Sequence, residues 1–172
     1  MKRIAWATDL HLDHLDAERR EAFLERLGAL EADALVLAGD TSFADRIESE
    51  LRAVASAARV PVYFVLGNHD FYGGSVAEVR ARARALSAEP GAPQWLPVAG
   101  IVCLGQSTAL VGHDGWGDGR LGAGAASTVQ LNDFIHIREL AYLPVDERFR
   151  RLAALGDEAA EQVSERINAV DP

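Results

Sequence analysis

The fold is decided by residues 60–70, VPVYFVLGNHD, in which an apolar run ends in a short polar cluster. The same order occurs twice earlier, where Ile4–Ala7 precedes Asp9-Leu10-His11 and Ala34–Ala38 precedes Gly39-Asp40. The three runs have strand length and are rich in Val, Leu, Ile and aromatic residues, which predicts buried strands, the third over Val60–Leu66. Helix-length amphipathic segments separate the clusters. This alternation favours an α/β fold with a parallel sheet, in which all three polar loops meet at one carboxyl edge.

The remaining pattern predicts further helices and one hairpin. Helices are expected over Asp16–Leu30, Asp45–Ala58 and Ser75–Leu86, from helical spacing and, in the third, a capping box of Ser75 with Glu78. Strands Ile101–Leu104 and Thr108–Val111 form a predicted antiparallel hairpin, so that the sheet becomes mixed or a second sheet begins. A Gly-rich loop over 112–126, a helix over Ser127–Tyr142 and a last helix from Pro144 follow. The last helix carries an apolar stripe from Leu152 to Ile167, a surface that could drive oligomerisation.

Composition excludes several classes of protein. The chain has 172 residues, 49% of them hydrophobic and 25% charged, which predicts one globular domain over residues 1–172. Its net charge is -9, and the basic residues form no long run, so an extended nucleic-acid surface is not expected. No segment has the length of a signal peptide core or a membrane span, which predicts a cytoplasmic protein without membrane contact. The single cysteine, Cys103, excludes an intrachain disulfide, and its apolar context predicts a small core residue.

The three polar clusters contain the ligand types that hard and borderline divalent cations prefer. Asp9 and His11 are two apart in an extended segment, so their side chains point the same way, and Asp40 and Asn68 come from neighbouring strand ends. Two ions about 3.5–4 Å apart could clamp a phosphate and activate a water as hydroxide. His69 would then protonate the leaving oxygen as general acid. Asp70 is placed with His69 in the predicted catalytic pair, either orienting that histidine or capping the next turn.

These motifs, Asp9-x-His11, Gly39-Asp40 and Gly67-Asn68-His69-Asp70, resemble the first three motifs of the calcineurin-like metallophosphoesterases. The resemblance implies a sandwich of mixed sheets flanked by helices. It also implies one metal held by Asp9 and His11, a bridging Asp40, a second metal on Asn68, and His69 facing the substrate. The two ions would be Mn, Fe, Zn or similar, and the activity would be hydrolysis of a phosphomonoester or phosphodiester by a metal-activated hydroxide.

The family's later histidine and its Gly-His-x-His motif have no match in the sequence. We therefore expect the domain to be truncated at its C-terminus: either the chain is a fragment or truncated product, or a second copy or another chain completes the site. A non-catalytic scaffold that retains the fold is the alternative function, and an unrelated α/β module holding one Mg²⁺ is a third. His113 and Arg120, in the Gly-rich loop, are further candidates for substrate contact, while His136 is expected on a helix face.

Overall fold

A four-stranded parallel sheet forms the centre of the molecule. The computed structural model describes residues 2–170. The strands lie in sequence order, and they are β1 (Ile4–Ala7), β2 (Ala34–Ala38), β3 (Val62–Val65) and β4 (Gln94–Trp95). All neighbouring strands are parallel, with Leu37 opposite Ala7 on one side and opposite Phe64 on the other. The three predicted strands are confirmed, the first two with the predicted bounds and the third slightly shorter.

Three helices connect these strands, and their bounds lie within two residues of the predicted ones: α1 (Ala17–Gly28), α2 (Ile47–Ala58) and α3 (Val76–Ser87). α1 contacts α2 and α2 contacts α3, so successive helices lie on the same face of the sheet, as right-handed crossovers between parallel strands in sequence order would place them. Side-chain caps fix two of the helix starts. Asp16 accepts a hydrogen bond from the Arg19 amide at 2.8 Å, and Ser75 accepts one from the Glu78 amide at 3.1 Å.

The core lies between the helices and one face of the sheet. Leu37, Phe64 and Trp95 follow one another across the strands on this face, and each is at most 2% exposed. Burying a large apolar side chain contributes about 1.5–3 kcal/mol, so this row anchors the sheet against the helices. On the edge strand β1, Trp6 is 67% exposed and does not enter this core.

A short helix α4 (Leu96–Ala99) and a hairpin follow β4. In the hairpin, β5 (Val102–Cys103) pairs antiparallel with β6 (Ala109–Leu110) as a separate two-stranded sheet, so the predicted hairpin is confirmed and it begins a second sheet. The expectation for Cys103 was wrong. Its side chain is exposed because a strand of two residues turns it away from the core.

The predicted Gly-rich loop contains one 3-10 turn, Gly124–Ala126, and the helix predicted over Ser127–Tyr142 was wrong. Only α5 (Asp133–His136) is helical there, because the Ser127 hydroxyl accepts from the Val129 amide at 3.2 Å and forms a local turn in place of a helix cap. The last helix is confirmed as α6 (Val145–Ala169). Leu152, Leu155 and Ala159 of its stripe are buried, while Ile167 is 57% exposed. Within residues 2–170, no helix has the length and apolar character needed to cross a membrane.

Candidate metal centre

The loops that follow β1 and β2 run side by side at the carboxyl edge of the sheet. The Asp9 amide donates to the Gly39 carbonyl at 3.2 Å, and the His11 amide donates to the Asp40 carbonyl at 3.0 Å. These bonds continue the parallel pairing of the two strands beyond their ends. Residues that the sequence separates by about thirty positions are thereby brought to one place, as the parallel topology predicts.

Asp9, His11 and Asp40 form a cluster in which each offers one ligand atom and these atoms lie within 4.8 Å of one another. All three residues have left-handed backbone conformations, with φ of 53°, 42° and 52°. This conformation costs roughly 1–2 kcal/mol for a residue with a side chain. Strain of this kind persists where the surrounding structure imposes it, and it concentrates at functional sites. The three donor groups are therefore held together at a cost in backbone energy.

Glycine at position 67 allows the third loop to approach this cluster. A Cβ atom placed on Gly67 would overlap the Asp40 carboxylate and would lie 2.6 Å from the Asp40 amide nitrogen. At position 39, where φ is 92°, a Cβ atom would lie 2.8 Å from the Gly67 nitrogen. Only residues without a side chain permit this spacing, so the two glycines set the distance between the second and third loops.

Asp70 binds the second and third loops to each other. Its carboxylate accepts hydrogen bonds at 2.8–3.0 Å from the amides of Asp40, Thr41, Ser42 and Gly67, and the residue is 0% exposed. Burial raises the pKa of Asp70 to about 7, and the backbone amides act in the opposite direction. The catalytic role of Asp70 stays a prediction, and the four hydrogen bonds from backbone amides also support a bracing role for its carboxylate.

His69 lies next to the cluster and is held there by its neighbours. Its amide donates to Asp40 Oδ1 at 3.0 Å. Its ring stacks on Tyr72 with 4.3 Å between the ring centroids and meets His11 edge-on at 4.7 Å. The Nδ1 atoms of His11 and His69 are buried and have no hydrogen-bond partner among the described residues. A buried polar atom without a partner costs free energy, so these two nitrogens are available to interact with a ligand from outside the protein.

Asn68 points its amide nitrogen away from solvent, into a buried polar group. Nδ2 donates to Asp133 at 2.8 Å and lies 3.2 Å from the Tyr72 hydroxyl, which itself donates to Asp133 at 2.6 Å. Burial and the hydrogen bond to Asp133 raise the pKa of Tyr72, so its hydroxyl remains a donor. Neither Tyr72 nor Asp133 was among the predicted site residues. For Asp133, the one available signal was an aspartate directly before the apolar residues Phe134 and Ile135.

The structure does not bring the two loop candidates to this centre. His113 lines a different cavity, between α3 and α6, together with Arg80, Trp95 and Glu158. Arg120 donates to Asp118 and Asp157 at 2.6–2.7 Å and is thus tied to α6. His136 is exposed on the short helix α5 with its ring centroid 5.3 Å from that of Tyr72, which agrees with the predicted helix-face position.

A second buried aspartate that the sequence did not single out, Asp114, fixes the start of the Gly-rich loop. Its carboxylate accepts from the Leu66 amide, the Trp95 indole and Arg80 at 2.8–3.0 Å. The loop thereby lies beside Asn68, and between them opens a cavity of about 360 Å³ that Trp116 and Asp133 also line. A space of this size next to the cluster can admit a small molecule.

The donor set fits divalent cations. Two carboxylates, an imidazole and an amide oxygen are the ligands that ions such as Mn, Fe and Zn accept together. In this chain, Asp9, His11 and Asp40 meet the distance requirement directly, and the third loop, which carries Asn68, contacts Asp40 through the His69 amide.

Comparison with known proteins agrees with this chemistry. The family model described as calcineurin-like phosphoesterase matches residues 2–161. A UDP-2,3-diacylglucosamine hydrolase of Vibrio vulnificus strain YJ016 is 38% identical in an alignment of 77 residues, and the match covers 37% of this chain and 31% of that protein. The enzyme of strain CMCP6 matches to the same extent. The matched region thus spans about a third of these relatives.

The fold also matches a solved structure. The crystal structure of phosphopantetheinyl hydrolase from Mycobacterium tuberculosis superimposes with a TM-score of 0.65 at 17% sequence identity. The match covers 98% of this chain and 64% of that one. At this level of identity the likeness concerns the fold.

Proposed function

Because the chain belongs to the calcineurin-like phosphoesterase family, we propose that it hydrolyses a phosphoester of a small organic molecule with divalent cations held by Asp9, His11, Asp40 and Asn68. The observation that carries this proposal is the cluster of Asp9, His11 and Asp40, whose ligand atoms lie within 4.8 Å of one another in strained backbone. When bound, two such cations polarise a phosphoryl oxygen and lower the pKa of a water.

The residues around the cluster would orient the substrate and move one proton. The cavity beside Asn68 would hold the organic part of the phosphoester, with Trp116 as its apolar wall. The attacking water would lose a proton to solvent, and its oxygen would form a new bond to phosphorus as the bond to the leaving oxygen breaks. The His69 imidazolium would give its proton to that leaving oxygen, because the stack on Tyr72 orients the ring and the hydrogen bond from the His69 amide to Asp40 holds the residue next to the cluster.

The test is hydrolysis of p-nitrophenyl phosphate and bis-p-nitrophenyl phosphate by protein loaded with Mn²⁺. We expect His69→Ala to lower kcat about 10²–10⁴-fold, the usual contribution of a general acid, while bound Mn²⁺ is retained. His113→Ala is the matched control, since that ring lies in a different cavity and its loss should leave kcat unchanged.

The same assay separates the alternatives. Preference for the monoester or the diester assigns the substrate class. Tight Mn²⁺ binding without turnover of either compound would favour a non-catalytic member of the family. Full turnover by His69→Ala would remove the histidine from the mechanism.

A further inference from the structure

We propose that Asp133 is a positioning residue for the metal centre, which holds the Asn68 side chain so that its amide oxygen is free to bind a cation. This inference rests on the proposed function, since it assigns a role to a residue that would act on the metal only through Asn68. The observation is the hydrogen bond of 2.8 Å from Asn68 Nδ2 to the Asp133 carboxylate.

The chemistry of an amide explains why its orientation matters. An asparagine side chain carries a donor nitrogen and an acceptor oxygen, and only the oxygen can bind a cation. With the nitrogen on Asp133, the oxygen is directed to the other side. The reversed amide would set its oxygen against a carboxylate, which repels it. A hydrogen bond to a charged acceptor is also stronger than one between neutral groups, so Asp133 selects one orientation.

Tyr72 keeps the Asp133 carboxylate in place as an acceptor. Its hydroxyl donates to the same oxygen, Oδ1, at 2.6 Å, and Asp133 is only 8% exposed. Burying a carboxylate is costly unless donors surround it, and here the two donors come from Asn68 and Tyr72. The Tyr72 ring also stacks on His69, so one buried network contacts both functional residues of the third loop.

The segment that carries Asp133 is attached to this loop by other bonds as well. The Gly73 amide donates to the His136 carbonyl at 3.0 Å, and the Arg138 amide donates to the Gly74 carbonyl at 3.1 Å. Glu139 accepts from the Val76 amide at 2.9 Å. Because these contacts do not involve the Asp133 side chain, its removal should leave the segment docked.

The experiment is a double-mutant cycle read by isothermal titration of the whole chain with Mn²⁺. We expect Asp133→Ala to weaken Mn²⁺ binding about 10–100-fold, the usual effect of removing a partner that orients a metal ligand. Asn68→Ala should weaken binding similarly, and Asp133→Ala should then cause no further loss in the Asn68→Ala background. Asp146→Ala, an exposed aspartate in the first turn of α6, is the control and should bind as the wild type does.

A second variant covers the case in which Asp133→Ala does not fold. Tyr72→Phe removes one donor to the carboxylate and should weaken Mn²⁺ binding by a smaller factor than Asp133→Ala does. Tyr142→Phe, at an exposed position, is its matched control and should bind Mn²⁺ as the wild type does. Equal Mn²⁺ affinity in Asp133→Ala and the wild type would overturn the positioning role alone, as would additive losses in the cycle. A wild-type chain that binds no Mn²⁺ would overturn the proposed function, and the positioning role with it.

Discussion

The Asp70 carboxylate is placed to support the candidate site through the backbone of two loops. Each of its oxygens accepts from two backbone amides, Oδ2 from Asp40 and Gly67 and Oδ1 from Thr41 and Ser42. The second loop, which carries Asp40, is therefore fixed relative to the third, which carries Asn68 and His69. This bracing explains why an acidic residue follows the histidine even though its side chain does not reach the surface.

Asp70→Asn tests the bracing role. An amide group can accept through its oxygen only, so two of the four backbone amides would face a donor and lose their partner, at about 1–3 kcal/mol for each. We expect the free energy of unfolding to fall accordingly, measured by urea denaturation at pH 8, where a carboxyl with a pKa of about 7 is ionised. Asp45→Asn, at an exposed position, is the control. Unchanged stability in Asp70→Asn with lost turnover would instead support the catalytic role.

At the scale of elements, the strands and the long helices follow from local pattern, and the connecting segments do not. α1, α2 and α3 begin and end close to the predicted residues, and α6 begins close to its predicted start, because apolar spacing and caps act within one turn. The segment after Ser127 has both a capping signal and apolar residues, yet it folds into turns that bury Phe134, Ile137 and Leu140 against the core. Tertiary contacts decide the conformation of this segment, and local sequence patterns do not predict such contacts.

Glu139 ties this irregular segment to the start of α3. Its carboxylate accepts from the Val76 and Ala77 amides at 2.9 and 3.1 Å, which are among the amides that a helix start leaves without partners. Burial acts to raise the pKa of Glu139, but the hydrogen bonds from these amides outweigh it, and the pKa lies below its ordinary value. A lowered pKa in the folded state stabilises the protein above the ordinary carboxyl pKa, and this contribution is lost as the pH falls through the folded value.

We therefore expect Glu139→Gln to lower the free energy of unfolding by about 0.5–1 kcal/mol at neutral pH, as for loss of a helix cap. The difference from the wild type should shrink as the pH is lowered from neutral through the pKa of folded Glu139, because protonation removes the charge that the amides stabilise. Urea denaturation over this pH range measures it, with Glu161→Gln on the exposed face of α6 as the control. A difference that stays constant with pH would show that the charge of Glu139 is not involved.

At the scale of the whole molecule, the sequence predicts the group of Asp9, His11 and Asp40 that the structure brings together, but not the residues that surround this candidate site. Parallel strands in sequence order necessarily bring the loops of Asp9, Asp40 and Asn68 to one edge, so those residues could be found from spacing alone. Asp133 reaches Asn68 across a separation of 65 residues from a segment without a regular pattern. A contact of that kind depends on how the complete chain packs, which composition and periodicity do not encode.

Acidic side chains lie close together at the carboxyl edge of the sheet, in a chain whose net charge is -9, and their repulsion lowers the stability of the folded state. Asp9 and Asp40 offer ligand oxygens within 4.8 Å of each other, and like charges at that distance repel. A bound cation removes this repulsion and stabilises the folded state by mass action, by about 2.7 kcal/mol at a hundredfold excess over Kd. Metal binding should therefore raise the thermal midpoint of the wild type, by an increment that grows with the logarithm of the Mn²⁺ concentration above Kd.

Asp9→Asn separates the effect of charge repulsion on stability from the effect of cation binding. In the presence of a chelator we expect the variant to be as stable as the wild type or more stable by up to about 1 kcal/mol, because one repelling charge is gone and Asn tolerates the left-handed conformation at φ 53°. On addition of Mn²⁺ the thermal midpoint of the wild type should rise, while that of Asp9→Asn should stay where it is. Asp146→Asn, far along the chain on α6, should respond to Mn²⁺ as the wild type does. An equal rise in Asp9→Asn would mean that Mn²⁺ binds at another place on the molecule.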